Sequence, residues 1–251
     1  MTGHSRMNGF SMIEAVAAVF VMSLTLLLAF TMWSSVLNSY RSHELGASSF
    51  SAAQIGIDYL SSDVRSAKVL LSSFDGCSTS ASSIAIQSLS YDTSGIIPNA
   101  YDYISYQVND DNQLTRTIVS GGGDRVNETD RVLANDADTL SFTYLCTEEF
   151  QGNGSATTFT LSHPWQENPM VMQDGTQISG FFMNPSARTI TISPAPSSGS
   201  AIDVSYSVSP ADSSALTDVS DVHITLTCRS TEADASRTIT LDTNARLRNK
   251  R

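Results

Sequence analysis

The sequence predicts an α+β protein: a long N-terminal helix, apolar along its first half, packed on an antiparallel β-sheet head that carries an inserted small β-module. Three observations predict it. An apolar run from Phe10 to Trp33 holds a single charge, a proline-free segment continues from Ser34 to Leu71, and short alternating runs dominate beyond Ala81.

The first nine residues, MTGHSRMNG, are short and polar, with His4 and Arg6 as their positive groups, and cannot form a core. Residues 10–33, FSMIEAVAAVFVMSLTLLLAFTMW, make a run of about 24 residues; at about 1.5 Å per residue a helix of that length spans a hydrocarbon layer of about 30 Å. With Arg6 before the run and Arg41 after it, the short flank favours an N-terminus in the cytoplasm and a body outside it. No A-x-A site follows Trp33, and the run is longer than that of a removable signal peptide. One residue interrupts the apolar character. Glu14 puts a carboxylate inside the span, which costs about 2.5–3.5 kcal/mol on insertion scales and calls for a partner or a function.

The order Gly9, Phe10, Glu14 within GFSMIEA resembles the processing site of type IV prepilins and pseudopilins. The resemblance implies that a membrane enzyme, the prepilin peptidase, cuts after Gly9 and methylates the new N-terminal Phe10. Glu14 then becomes the fifth residue of the mature chain and meets the N-terminal amine of a neighbouring subunit. Two opposite charges buried together offset part of each other's desolvation, so such a pair would specify axial register. Also implied are a single pass through the bacterial inner membrane and association with other pilins through the N-terminal helix. The destination is a periplasmic or extracellular filament: a type IV pilus, a type II secretion apparatus or a DNA-uptake machine.

Residues 34–72 read as the soluble continuation of the helix, since Val36, Tyr40, Ala47, Phe50, Gln54, Ile57, Leu60, Val64 and Val69 recur at loosely helical spacing. Gly46 and Gly56 weaken it, and the serine-rich run SSFDGCSTSASS ends it. Six later runs alternate with period two: SSIAIQSLSYD, YDYISYQVN, QLTRTIVSG, DTLSFTYLC, VSDVHITLTC and RTITLDTNARL. They read as strands of a head formed by residues 81–150 and 211–251. Asn109–Asn112 reads as a hairpin turn and Gly121–Asp124 as a mobile loop.

Residues 152–210 have their own alternation, prolines at strand borders and a turn at Asp174–Gly175, and read as the inserted β-module. They resemble small β-sandwich modules of phage tail and adhesive surface proteins. Trp165, Phe181, Phe182 and Met183 either form a contact surface there, as at a filament tip, or fill the module's own core. DVRSAKVL at 63–70 and the later TNARLRN resemble stretches of larger minor pilins and pseudopilins, of the PilW-like and GspJ-like sort. That likeness and the bulk of the head imply a minor subunit that joins, initiates or caps a filament.

The formal net charge of -11 gives the body a field that repels phosphate backbones, which excludes general nucleic-acid binding by it. Arg246, Arg248, Lys250 and Arg251 cluster in the last six positions. They read as a solvated tail or, if the head is an adhesive or DNA-contacting tip element, as its phosphate contacts. Cys77, Cys146 and Cys228 lack CxxC spacing and histidine pairing, which argues against zinc and for one disulfide plus one thiol in an exported protein. Cys146 and Cys228 each end a strand; as antiparallel neighbours those strands would hold them at opposite edges, beyond the Cα separation of about 7 Å that a bridge tolerates. Cys77 with either partner stays open. His43, His163 and His223 lie on unrelated segments, and GxSxG, HExxH and phosphate-cradling glycine loops are missing, so neither catalysis nor a cofactor is expected. Asp110 with Asp111, and Asp136 with Asp138, read as solvated turns without the twelve-residue loop of a calcium site.

Overall fold

The computed structural model describes residues 11–232 and 235–248. The chain divides into two compact units, Met1–Ala47 and Ser48–Arg251. Helix α1, Met12–Ser66, begins in the first and ends in the second. Alanine, leucine and methionine, all strong helix formers, fill its first half, and no proline interrupts it. In the first unit its described side chains are exposed. In the second it turns one face inward: Ala53, Ile57, Leu60 and Val64 recur three or four apart and are buried. Gly56 lies on that face, where a Cβ would come 2.8 Å from Leu114 and 3.6 Å from Leu226. The glycine expected to weaken the helix therefore lets it approach two strands closely.

The helix expected to run to residue 72 stops at Ser66. Strand β1, Ala67–Leu71, follows, because Val69, Leu70 and Leu71 pair with Gln87, Ile86 and Ala85, which satisfies their backbone and buries Leu70. A two-residue pair, β2 (Ser73–Phe74) and β3 (Cys77–Ser78), leads into β4 (Ile84–Asp92), β5 (Gly95–Val108), β6 (Leu114–Val119) and β7 (Glu128–Ala134). With β1 these four form a five-stranded sheet in the order β1-β4-β5-β6-β7. The turn expected at Asn109–Asn112 joins β5 to β6; Asn109 N–H donates to Gln113 O at 3.0 Å, and Asn112 takes a φ of 55°, which asparagine tolerates.

Strand β8, Ala137–Gln151, opens the second sheet, and β9 (Thr158–Thr160), β10 (Met170–Gln173), β11 (Thr176–Ile178), β12 (Phe181–Asn184), β13 (Thr189–Ile192) and β14 (Ala201–Val208) follow. A single-turn helix α2, Ser213–Leu216, precedes the closing hairpin of β15 (Asp221–Glu232) and β16 (Ala235–Arg246). The second sheet runs β11-β10-β14-β8-β15-β16, and β12-β13-β9 make a small third one. Every pairing is antiparallel among the described residues. Asp174 and Gly175, both at positive φ, close β10 onto β11 as the DG signal predicts. Residues 152–210 thus divide between two sheets: β10, β11 and β14 extend the one that contains β8, while β9, β12 and β13 stand apart. Buried residues of all three sheets join the inward face of α1 in one core, from Ala53 to Leu247.

Candidate functional site

Gly9 and Phe10 lie outside the described residues. Glu14 lies in the first turn of α1, which opens as Ser11 O accepts the N–H groups of Glu14 and Ala15 at 3.0 and 3.1 Å. From Met12 to Tyr40 it is the one charged side chain. Around it the helix is apolar on every side, with Ile13, Val16, Phe20, Leu27 and Phe30 all more than half exposed. A helix of that kind needs lipid or other protein around it. Met12–Arg41, 30 residues, is long and apolar enough to cross a membrane. Its hydroxyls suit such surroundings: Ser23, Thr25 and Thr31 donate to the carbonyls of Phe20, Met22 and Leu28, each at 2.8 Å. Those donors are satisfied within the helix itself.

The other end of α1 carries a buried charge cluster that spacing alone does not reveal. The inner face of the five-stranded sheet is apolar at Ile84, Ile86, Ile104, Leu114 and Ile118 and turns polar at Ser90, Asp102, Tyr106 and Arg116. Asp63 comes down on that polar corner. Its carboxylate lies 2.8 Å from Arg116 Nη2 and 3.2 Å from Arg125 Nη2, and accepts the Tyr106 hydroxyl at 2.5 Å. Glu128 stands 3.6 Å from Arg116, and Asp102 stands 3.7 Å from Arg125. The Arg116 guanidinium also lies over the Tyr59 ring, 5.1 Å from its centroid. Burial, reinforced by Asp63, pushes the Tyr106 phenol well above its ordinary value, so it stays protonated and donates. The cluster ties the last turn of α1 to β5 and β6, and through Arg125 to the segment between β6 and β7.

That segment holds the run expected as a mobile loop, and the expectation is corrected. Gly121 and Gly123 press against the sheet: a Cβ on either would come 2.3 Å from a backbone oxygen, of Tyr101 and Tyr91 respectively. Gly121 N–H donates to Asp102 Oδ1 at 3.0 Å, and Asp124 N–H to Tyr91 O at 2.8 Å. The glycines permit a close-fitting strap that delivers Arg125 to Asp63 and Asp102.

Trp165 and Phe181 are partly buried and pack on the core, whereas Phe182 is 74% exposed and Met183 is also exposed. The four thus divide between partly buried and exposed positions. Among the described residues no disulfide forms, contrary to expectation; Cys77, Cys146 and Cys228 are all buried. Cys146 faces Tyr206 across β14, while Cys228 faces Ala137, about nine residues back along β8, or about 30 Å at strand rise. Burial pushes the Cys77 thiol up and the Cys228 thiol up to about 11. Asp110 and Asp111 stand exposed in the β5–β6 turn, and Asp136 takes a positive φ just before β8. No group of three or more His, Cys, Asp or Glu side chains suited to a metal occurs among the described residues.

Of the three histidines read as unrelated, His43 is exposed on α1, and His163 and His223 find separate partners. His223 Nδ1 lies 2.8 Å from Asn244 Oδ1. His163, buried, lies 3.0 Å from Asp218 in a cleft that also takes in Glu148, Glu149, Ser220 and Arg246. Arg246 ends β16 and Arg248 is exposed; Lys250 and Arg251 lie outside the described residues. No protein-family model, curated protein or solved structure matches this chain.

Proposed function

We propose that this chain is a type IV pilin-like subunit, a minor pilin or pseudopilin made as a precursor, cut after Gly9, methylated at Phe10 and assembled through its N-terminal helix into a filament. The observation that carries the reading is Glu14, one acid on a helix otherwise apolar all round. Alone in hydrocarbon that carboxylate is costly. The ammonium that cleavage would create on a neighbouring subunit offsets the cost and rewards one axial register over others. The helix would then meet lipid before assembly and like helices afterwards, with the second unit outside the cytoplasm. The bulk of Ser48–Arg251 supports a minor position, at or near a tip, since so large a head repeated along a thick filament would crowd its neighbours.

Mass measurement of the protein from its producing cells should find a chain that starts at N-methylated Phe10. Glu14→Ala should leave cleavage intact and lower incorporation into filaments by about tenfold or more, because an uncompensated buried charge costs about 3–5 kcal/mol. Persistence of residues 1–9 in the finished protein, or normal incorporation of Glu14→Ala, defeats the reading. Processing indifferent to substitution of Gly9 would leave a plain membrane-anchored domain.

A further inference from the structure

Strand β8 ends at Gln151, and the chain bends through residues 152–156 before β9 begins at Thr158. Backbone bonds fasten the bend: Gly152 N–H donates to Ser200 O and Gly199 N–H to Gly152 O, each at 2.8 Å, and Gly154 N–H donates to Pro196 O at 3.0 Å. A Cβ on Gly152 would come 2.4 Å from Ser197 O, and Gly154 takes a φ of 78°, so the bend needs glycine at both positions. Between them Asn153, exposed, folds its side chain over the residues that follow. Its Oδ1 accepts the Ser155 N–H at 2.9 Å, the Ala156 N–H at 2.6 Å and the Ser155 hydroxyl at 3.1 Å. No hydrogen bond holds its Nδ2 among the described residues.

Asn153 and Gly154 are the one asparagine–glycine pair among the described residues. Glycine in second place has no Cβ to keep its amide nitrogen from the asparagine Cγ, and closure between those atoms makes an unstrained five-membered ring. The three donors on Oδ1 draw electrons from Cγ and stand where negative charge collects in a tetrahedral intermediate. We propose that Asn153 is a site of spontaneous self-modification. Gly154 N loses its proton and attacks Asn153 Cγ; the Cγ–Nδ2 bond breaks, and Nδ2 takes up a proton and departs as ammonia, leaving a succinimide. Water then opens the ring at either carbonyl, to aspartate or to isoaspartate, and no other reactant enters. The bond from Gly154 to Pro196 must open before the attack, as bonds in exposed turns do readily, so the bend sets the pace. Either product takes the chain one negative charge beyond -11. Aspartate keeps the acceptor of the bend, whereas isoaspartate adds a methylene to the backbone and misaligns Gly154 with Pro196. The reaction needs neither membrane nor filament.

The full chain in detergent is warmed at pH 8 beside a synthetic peptide of residues 149–157, EFQGNGSAT. Fragment masses follow loss of the amide, and chromatography separates aspartate from isoaspartate. Asn153 should be the first described asparagine of the folded chain to convert, and faster at higher pH because the attacking amide must shed its proton. Ser155→Ala removes one of the three donors. It should slow conversion about two- to tenfold in the folded chain, the worth of one neutral hydrogen bond, and change the peptide by less than about twofold. Three results overturn the proposal: an Asn153 amide that persists in the folded chain while the peptide converts, earlier conversion of another described asparagine, or a folded Ser155→Ala chain that converts as fast as its parent or faster.

Discussion

Replacing Asp63 by asparagine removes one negative charge from a side chain 6% exposed and leaves Arg116 and Arg125 in place. Breaking a buried pair from one side costs about 3–5 kcal/mol, because the surviving charge stays desolvated. Fallback partners lower the figure here: Glu128 lies 3.6 Å from Arg116 and Asp102 lies 3.7 Å from Arg125, while an asparagine oxygen still accepts the Tyr106 hydroxyl. The expected loss is therefore about 3 kcal/mol. For a unit of this length each kcal/mol moves Tm by about 2–4 °C, so the head should melt about 6–12 °C lower. Near-ultraviolet circular dichroism of the full chain in detergent follows the packed tyrosines directly. Asp58→Asn is the control: that carboxylate is exposed, accepts from Gln54 at 2.9 Å, and should shift stability by less than about 0.5 kcal/mol. A drop below about 3 °C for Asp63→Asn would refute the claim that the cluster fastens α1 to the sheet.

Gly123→Ala should destabilise the head by about 1–3 kcal/mol, since its Cβ meets the Tyr91 carbonyl, and should speed hydrogen exchange at the Asp124 amide; unchanged exchange would mean the strap yields freely. At pH 8 iodoacetamide should leave the folded chain unlabelled and modify all three cysteines after unfolding, as raised, buried thiols predict for Cys77 and Cys228. Asp212 caps α2, accepting from Ser214 N–H at 3.0 Å, and the Ser214 hydroxyl, followed by the Ala215 amide, holds its carboxyl below the ordinary 3.8. A depressed folded value means the stabilisation is present above pH 3.8 and is lost as pH falls through the lower folded value. Asp212→Ala should then cost about 0.5–1 kcal/mol at pH 7, with the gap between variant and parent closing in strong acid.

The features legible in the sequence are those whose cause is local. The apolar half of α1, the period-two strands and the turns at Asn109–Asn112 and Asp174–Gly175 each rest on a handful of adjacent residues. Val69 misleads because an apolar residue that fits a helical spacing only loosely, five positions after Val64, serves equally well in a strand; its pairing with Gln87 decides, and that partner is not in view. Asp63 is read only as part of a resemblance, since Tyr106 and Arg125 stand 43 and 62 positions away along the chain. Three glycines in four residues suggest looseness by composition, whereas the oxygen that a Cβ would strike belongs to another strand. The cysteines invite a bridge by count and turn out to serve as small core residues. Glu14 is conspicuous from either side, because a charge amid apolar neighbours needs no fold to be noticed.

Ser23, Thr25 and Thr31 turn their hydroxyls back onto their own helix. A stretch built that way keeps those three donors to itself, so trading an acyl chain for a protein companion there asks for no exchange of their hydrogen bonds. Glu14, the one acid on that stretch, is then the group whose surroundings such a trade would change most.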